Sequence, residues 1–225
     1  MSDSELERIR VEYRQRDAAA AGPYRWENPG YVTYMQGLER ALLRGVAEVG
    51  LELEGARVLD VGCGSGYFLH RLGEYGAGEC HGIDLVEERI AQARERYPSL
   101  ELHVGSATEL PFDDSEFDVV MQFTCLSSIV DDEVRLAAAR ELRRVGAWVV
   151  SFDMRKENAS GRGTPTVGLD VAELRRLFGE PTLLRRIGPS FDVAQLAGRH
   201  DLFARLAGTL PPLRSHYLGL WRGPA

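Results

Sequence analysis

The period of apolar positions changes along the chain, and each change marks an element. Residues 3–21 are charged and helix-prone, and they stop at Gly22-Pro23. An aromatic loop running from Tyr24 through Trp26 and Pro29 to Tyr31 follows. Residues 31–50 then place Met35, Leu38, Leu42, Val46 and Val49 near a 3.6-residue period, which predicts an amphipathic helix ended by Gly50. From residue 56 the pattern becomes short β-branched runs alternating with helical stretches. ARVLDVG, ECHGIDL, LELHVGSA, EFDVVMQFT and GAWVVSFDM read as strands, and GYFLHRLGEYG, VEERIAQARERY and DEVRLAAARELRRV as helices. Such alternation means βαβ units, hence a doubly wound α/β sheet with helices on both faces.

Beyond residue 154 the pattern is looser. The polar, Gly/Pro-rich segment from Arg155 to Gly168 reads as a loop, VAELRRLFG as a helix and PTLLRRIG as a strand. Residues 191–210 form an apolar-striped helical stretch with Leu196, Leu202, Phe203, Leu206 and Leu210, and SHYLGLWRG closes the chain as a strand. Three regions result: residues 1–54 as an N-terminal helical arm or lid, 55–153 as the core, and 154–225 as elements completing the same domain on the substrate side. The apolar stripe is expected to pack on the core or cap a pocket, and it leaves a homodimer face open.

Composition narrows the class. The chain has 225 residues, 44% hydrophobic and 27% charged, so disorder and collagen are excluded. A net charge of −7 argues mildly against nucleic acid as a partner. Cys63, Cys80 and Cys125 are odd in number and contain no C-x-x-C pair, so they predict neither a disulfide framework nor a zinc site. The start MSDSELERIR has no apolar leader core, and no apolar run reaches the roughly 18 residues of a membrane span. The expectation is a cytoplasmic protein without membrane contact; the 191–210 stripe would need a basic polar face for that, and it pairs Arg199 and Arg205 with Asp192 and Asp201.

The informative segment is Val58-Leu59-Asp60-Val61-Gly62-Cys63-Gly64-Ser65-Gly66. A strand ends on an acidic residue, and a G-x-G-x-G turn leads into a helix. Glycines there let backbone pass close under a ligand, and the helix N-terminus offers free N–H groups. Asp84 closes the next strand, where a carboxylate can accept bonds from both hydroxyls of a ribose. This geometry suits a dinucleotide or S-adenosylmethionine. Asp60 would repel a pyrophosphate but suit the ammonium of a methionine moiety, so charge sign favours the sulfonium cofactor.

The segment resembles the class I S-adenosylmethionine-dependent methyltransferases, specifically the small-molecule group that includes ubiquinone-biosynthesis-like enzymes. The likeness covers about residues 55–153: VLDVGCGSGYF resembles the family's first motif, GIDL its acidic second, and VGSATELPFDDSEFDVV its third region. It implies a Rossmann-like seven-stranded sheet with the last strand antiparallel. It also implies adenine contact at Ser106 and Ala107, with Ser106 departing from the family's acidic residue. The [DNS]-P-P-[YFW] tetrapeptide of nucleic-acid and protein-amide methylation is replaced by Gln122-Phe123-Thr124-Cys125, which turns the reading away from those substrates. Arg214 to Leu220 resembles the last strand of methyltransferases from bacterial glycan and natural-product gene clusters.

The expected function is methylation of a small molecule, with O-methylation of a hydroxyl or carboxyl in secondary metabolism or glycan biosynthesis as the first choice. The rival readings are an NAD-dependent oxidoreductase and a non-catalytic S-adenosylmethionine-binding protein. Cofactor contacts are expected from Asp60, Gly62, Cys63, Gly64, Gly66, Asp84, Leu85, Ser106, Ala107, Gln122 and Phe123. Tyr13, Asp17, Tyr24, Trp26 and Tyr31 of the arm are candidates for the substrate lid. His200 and His216 are the candidate proton acceptors, whereas His70, His81 and His103 read as structural. No spaced His/carboxylate cluster predicts a metal.

Overall fold

The computed structural model describes residues 3–18, 28–156, 166–188, 191–197, 210 and 213–223. Two helices precede the sheet: α1 (Asp3–Ala18) and α2 (Pro29–Val49). α2 starts as its sequence dictates, because the Asn28 side chain accepts from Gly30 N and Pro29 occupies the first turn, where no N–H is needed. Gly50, at φ 68°, ends it in the left-handed conformation.

The core alternates β1 (Arg57–Val61), α3 (Tyr67–Glu74), β2 (Glu79–Asp84), α4 (Glu87–Arg96), β3 (Glu101–Val104), β4 (Phe117–Phe123), α5 (Cys125–Ser128), α6 (Asp132–Val145) and β5 (Gly146–Met154). The tail adds α7 (Val171–Phe178), β6 (Leu183–Ile187), α8 (Phe191–Ala197) and β7 (His216–Arg222). The strands form one seven-stranded sheet in the order β3-β2-β1-β4-β5-β7-β6. β1 to β5 pair in parallel, and β7 runs antiparallel between β5 and β6, from Trp148↔Arg222 to Met154↔His216. The tail therefore completes the core sheet.

Alternation along the strands sends successive side chains to opposite faces. Leu59, Val61, Val120 and Val149 meet α6 and α7, while Val58, Val119, Met121 and Val150 meet residues of α2, α3 and α4. With both faces covered, β1 is buried from Val58 to Val61. The strand order reverses between β1 and β4, which opens a crevice at their carboxyl ends, as in other doubly wound sheets. The four-residue helix α5 at that crevice has no signature in the sequence pattern. Of the stretch expected to be helical at 191–210, α8 is described and residues 198–209 lie outside the described residues.

Candidate active site

The crevice is a cleft of about 1540 Å³ lined by the carboxyl ends of β1, β2, β4 and β5, with α1, α2 and α8 around it. Its floor is the β1–α3 turn. Gly62, Gly64 and Gly66 all have positive φ (76°, 53° and 72°). Gly62 also has no room for a side chain, because a Cβ would sit 3.0 Å from Cys125 Sγ. Gly62 N and Cys63 N both donate to Ile83 O, at 2.7 and 3.1 Å, which ties the turn to the end of β2.

Asp84 locks the same corner. Its Oδ2 accepts from Gly64 N at 2.9 Å and its Oδ1 from Val86 N at 2.9 Å, so one carboxylate holds the glycine turn and the start of α4. Each oxygen retains a second acceptor position, enough for a ribose diol. Burial pushes the Asp84 carboxyl up, and Arg89 and the two backbone donors oppose that. Asp60 has no such support. It is 2% exposed, its Oδ1 has no hydrogen-bond partner, and burial together with the Asp84 charge pushes its pKa up to about 8.

α1 lies across the cofactor end of the cleft and is bonded on both sides of it. Asp17 accepts from Arg89 Nε and Nη2 of α4, both at 2.6 Å, and Arg14 pairs with Glu88 at 2.8 Å. Arg89 lies 4.2 Å over the Tyr13 ring, whose hydroxyl is 2.6 Å from Ser128 Oγ. Glu5 Oε1 accepts from Val130 N at 2.7 Å, and Arg8 Nη2 donates to Ser128 O at 2.8 Å; Arg8 holds the Glu5 carboxyl down to about 2. Tyr13 and Asp17, expected in the substrate lid, line the cleft beside Arg89 and Ser128. Tyr24, Trp26 and His200 lie outside the described residues.

The other end of the cleft is aromatic. Phe68 stacks on Phe123 with centroids 4.1 Å apart, Phe123 neighbours Phe152 at 5.8 Å, and Phe152 stacks on His216 at 4.5 Å. Tyr34 lies 5.9 Å from His216 and 5.7 Å from Phe191, and Tyr31 meets Phe191 edge-on at 6.5 Å. His216 is 5% exposed; its Nδ1 is 2.7 Å from Ser215 Oγ and its Nε2 3.4 Å from Tyr34 Oη. Burial lowers its pKa to about 4, so the imidazole is neutral at pH 7.

The expected cofactor contacts divide. Asp60, Gly62, Cys63, Asp84, Leu85, Ser106, Ala107 and Phe123 line the cleft. Ser106 Oγ is also 2.8 Å from Thr108 Oγ1 and accepts from Thr108 N, so it closes its own turn. Gly64 and Gly66 are not among the lining residues, and neither is Gln122. It is fully buried, with Nε2 donating to Ser151 Oγ and Asp153 and Oε1 accepting from Cys125 N and Leu126 N. Neighbours on a strand face opposite sides, so Gln122 and Phe123 cannot both point at one ligand. Asp153 Oδ1 accepts from Ser127 N at 3.0 Å, and burial pushes its carboxyl up to about 6; this network pins α5 to β4 and β5. Sequence reasoning missed Arg89, Ser128, Tyr34, Phe152 and Phe191. Arg89 had one local signal, an arginine in the helix directly after the acidic strand end; the others are joined only by tertiary packing.

Residues 58–147 match the model of a family described as methyltransferase domain. Those residues carry a methyltransferase domain. A Mycolicibacterium smegmatis protein named for S-adenosylmethionine-dependent methyl transfer is 32% identical over 69% of this chain and 62% of its own length. The chloroplastic 2-phytyl-1,4-beta-naphthoquinone methyltransferase of Arabidopsis thaliana is 38% identical over 48% of this chain and 45% of its own. The ubiquinone biosynthesis O-methyltransferase of Bordetella avium is 29% identical over 63% and 61%. The chain therefore spans less than two thirds of each of these relatives. A chain from the Haloferax volcanii complex of the Trm112 methyltransferase activator with a methyltransferase has the same fold, with a TM-score of 0.71 at 20% identity over 96% of this chain and 98% of that one.

S-adenosylmethionine, the cofactor of the class I methyltransferase domain, fits the residues present. The unpartnered Asp60 oxygen answers an ammonium, and the spare acceptor positions of Asp84 answer a ribose. No group of three or more His, Cys, Asp or Glu among the described residues is placed to hold a metal ion. No helix among them is long and apolar enough to cross a membrane.

Proposed function

We propose that this chain transfers the methyl group of S-adenosylmethionine to a hydroxyl of a small, uncharged aromatic molecule. The observation that carries the reading is the neutral His216 set within the Phe68–Phe123–Phe152 wall. The arginines lining the described cleft are Arg14, Arg16 and Arg89, all at the α1 end. A carboxylate acceptor would find no cation at the aromatic end among the described residues, which favours a hydroxyl over the carboxyl alternative. The names of the naphthoquinone and ubiquinone-pathway relatives are consistent with a flat, apolar acceptor.

When bound, the cofactor supplies an electrophilic methyl on a sulfonium sulfur. Asp60 would hold its ammonium, Asp84 its ribose, and Ser106 with Ala107 its adenine. The wall of Phe68, Phe123 and Phe152 holds the acceptor ring and excludes water. With Nδ1–H donating to Ser215 Oγ, His216 Nε2 is left as the acceptor for the proton of the substrate hydroxyl. Tyr34 Oη orients that proton path.

The fold alone does not carry this reading, since the [4+2]-cyclase SpnF shares it at a TM-score of 0.59 and 22% identity. The NAD-dependent alternative is disfavoured because a pyrophosphate brings no cation to the buried, unpartnered Asp60 beside the turn. Calorimetry with S-adenosylhomocysteine and NAD, followed by transfer of labelled methyl to phenols, sugars and carboxylic acids, tests the proposal. Turnover of phenols alone supports it; NAD binding without S-adenosylhomocysteine binding, or carboxylic acids as the sole acceptors, overturns it.

A further inference from the structure

Asp60 is a buried acid without a cation. Its sheet neighbours are Gly82 on β2 and Met121 on β4, and its unpartnered Oδ1 borders the cleft. The titratable groups packed around it do not supply a positive charge. Asp84 on β2 is acidic and raises the Asp60 pKa. Cys63, on the same turn, and Cys125, on α5, are thiols that burial holds protonated. Arg89 on α4 is committed to Asp17 of α1 and sits beside Asp84. Burial disfavours the Asp60 charge first, and Asp84 adds to that by repulsion.

Burial first, and repulsion from the Asp84 carboxylate second, oppose ionisation of the unpartnered Asp60, so the empty site keeps a proton on it. The amino-acid end of the ligand brings a counter-charge. We propose that binding of the cofactor is proton-linked: Asp60 releases its proton to solvent as the ligand's ammonium takes its place. The inference rests on the S-adenosylmethionine reading above and adds a selection rule to it. The cleft discriminates ligands by the charge at the methionine end, because only an ammonium makes ionised Asp60 tolerable.

With a pKa of about 8 in the empty site, about 0.9 proton leaves per ligand at pH 7. The sign follows directly. The bound form needs ionised Asp60, so below pH 8 affinity rises as pH rises, about tenfold per unit between pH 5.5 and 7.5. The test is titration calorimetry at pH 7 in two buffers of different ionisation enthalpy. It uses S-adenosylhomocysteine and 5′-methylthioadenosine, which has the nucleoside but not the amino-acid end, on the wild type and on Asp60→Asn.

The expected result is close to one proton released with S-adenosylhomocysteine and none with methylthioadenosine. Asp60→Asn should bind S-adenosylhomocysteine more weakly, release no proton and show no pH dependence. Binding of both ligands to the wild type without proton release overturns the linkage and leaves the cofactor assignment standing. Failure of both to bind overturns the cofactor assignment and the linkage with it. Because the two ligands are compared on the wild type, a poorly folding variant does not rescue the idea.

Discussion

Asp17 of α1 grips Arg89 of α4 through two hydrogen bonds of 2.6 Å, and the same guanidinium covers the Tyr13 ring at 4.2 Å. Seventy-two residues separate the partners, and the cofactor end of the cleft lies beneath them. The pair makes α1 a strap over the site rather than a loose arm.

Asp17→Asn should therefore loosen the strap. The pair is partly exposed, with side-chain exposures of 20% and 38%, and such pairs contribute about 0.2–1 kcal/mol. Dissociation of S-adenosylhomocysteine followed by stopped flow should quicken by up to about fivefold, with little change in melting temperature. An unchanged off-rate would show that α1 packs on the domain without guarding the ligand.

Asp84→Asn should be more costly. An amide oxygen can replace one acceptor, but its NH2 would face either Gly64 N or Val86 N, both of which are donors. Losing charge-assisted bonds worth about 1.5–3 kcal/mol predicts affinity for S-adenosylhomocysteine about 10- to 100-fold weaker by calorimetry. Wild-type affinity in this variant would remove Asp84 from the ribose site.

His216→Gln separates chemistry from binding. Turnover of a phenolic acceptor should fall about 10²- to 10⁴-fold while cofactor affinity holds. In the wild type the base is neutral above its pKa of about 4, so with the cofactor saturating throughout, activity should be flat from pH 7 to 5 and fall below that. Stability has its own window. The unfolded histidine takes a proton near pH 6.5 and the native one near 4, so stability falls as pH drops through that interval. Chemical denaturation from pH 7 to 4 should show a smaller slope in His216→Gln than in the wild type.

Gly62→Ala tests the turn. Its φ of 76° strains any other residue, and the new Cβ would sit 3.0 Å from Cys125 Sγ. A loss of about 1–3 kcal/mol, several degrees of melting temperature for a chain of this size, is expected. Adding Cys125→Ala should recover part of the loss, because it removes the Sγ contact and leaves the Cys125 Cβ contact and the backbone strain. No recovery would place the cost in φ and the Cys125 Cβ contact.

The sequence by itself determined the strand–helix alternation, the β1–α3 glycine turn and the two acidic strand ends. These are local: period, positive-φ glycines and strand termini are written in consecutive residues, and β1 and β2 pair across a single helix. Gln122 marks the limit, since the sequence placed it at the carboxyl end of β4 but not its partners. Ser151 and Asp153 come from β5, 29 and 31 residues on, and draw it into the core while Phe123 takes the cleft. The seating of α1 on α4 and the Ser128 corner, and the aromatic wall built from α2, α3, β4, β5, α8 and β7, were likewise decided only by tertiary structure. Side chains far apart in the chain meet there because burying apolar surface joins the elements that carry them, and no local pattern encodes which faces will meet.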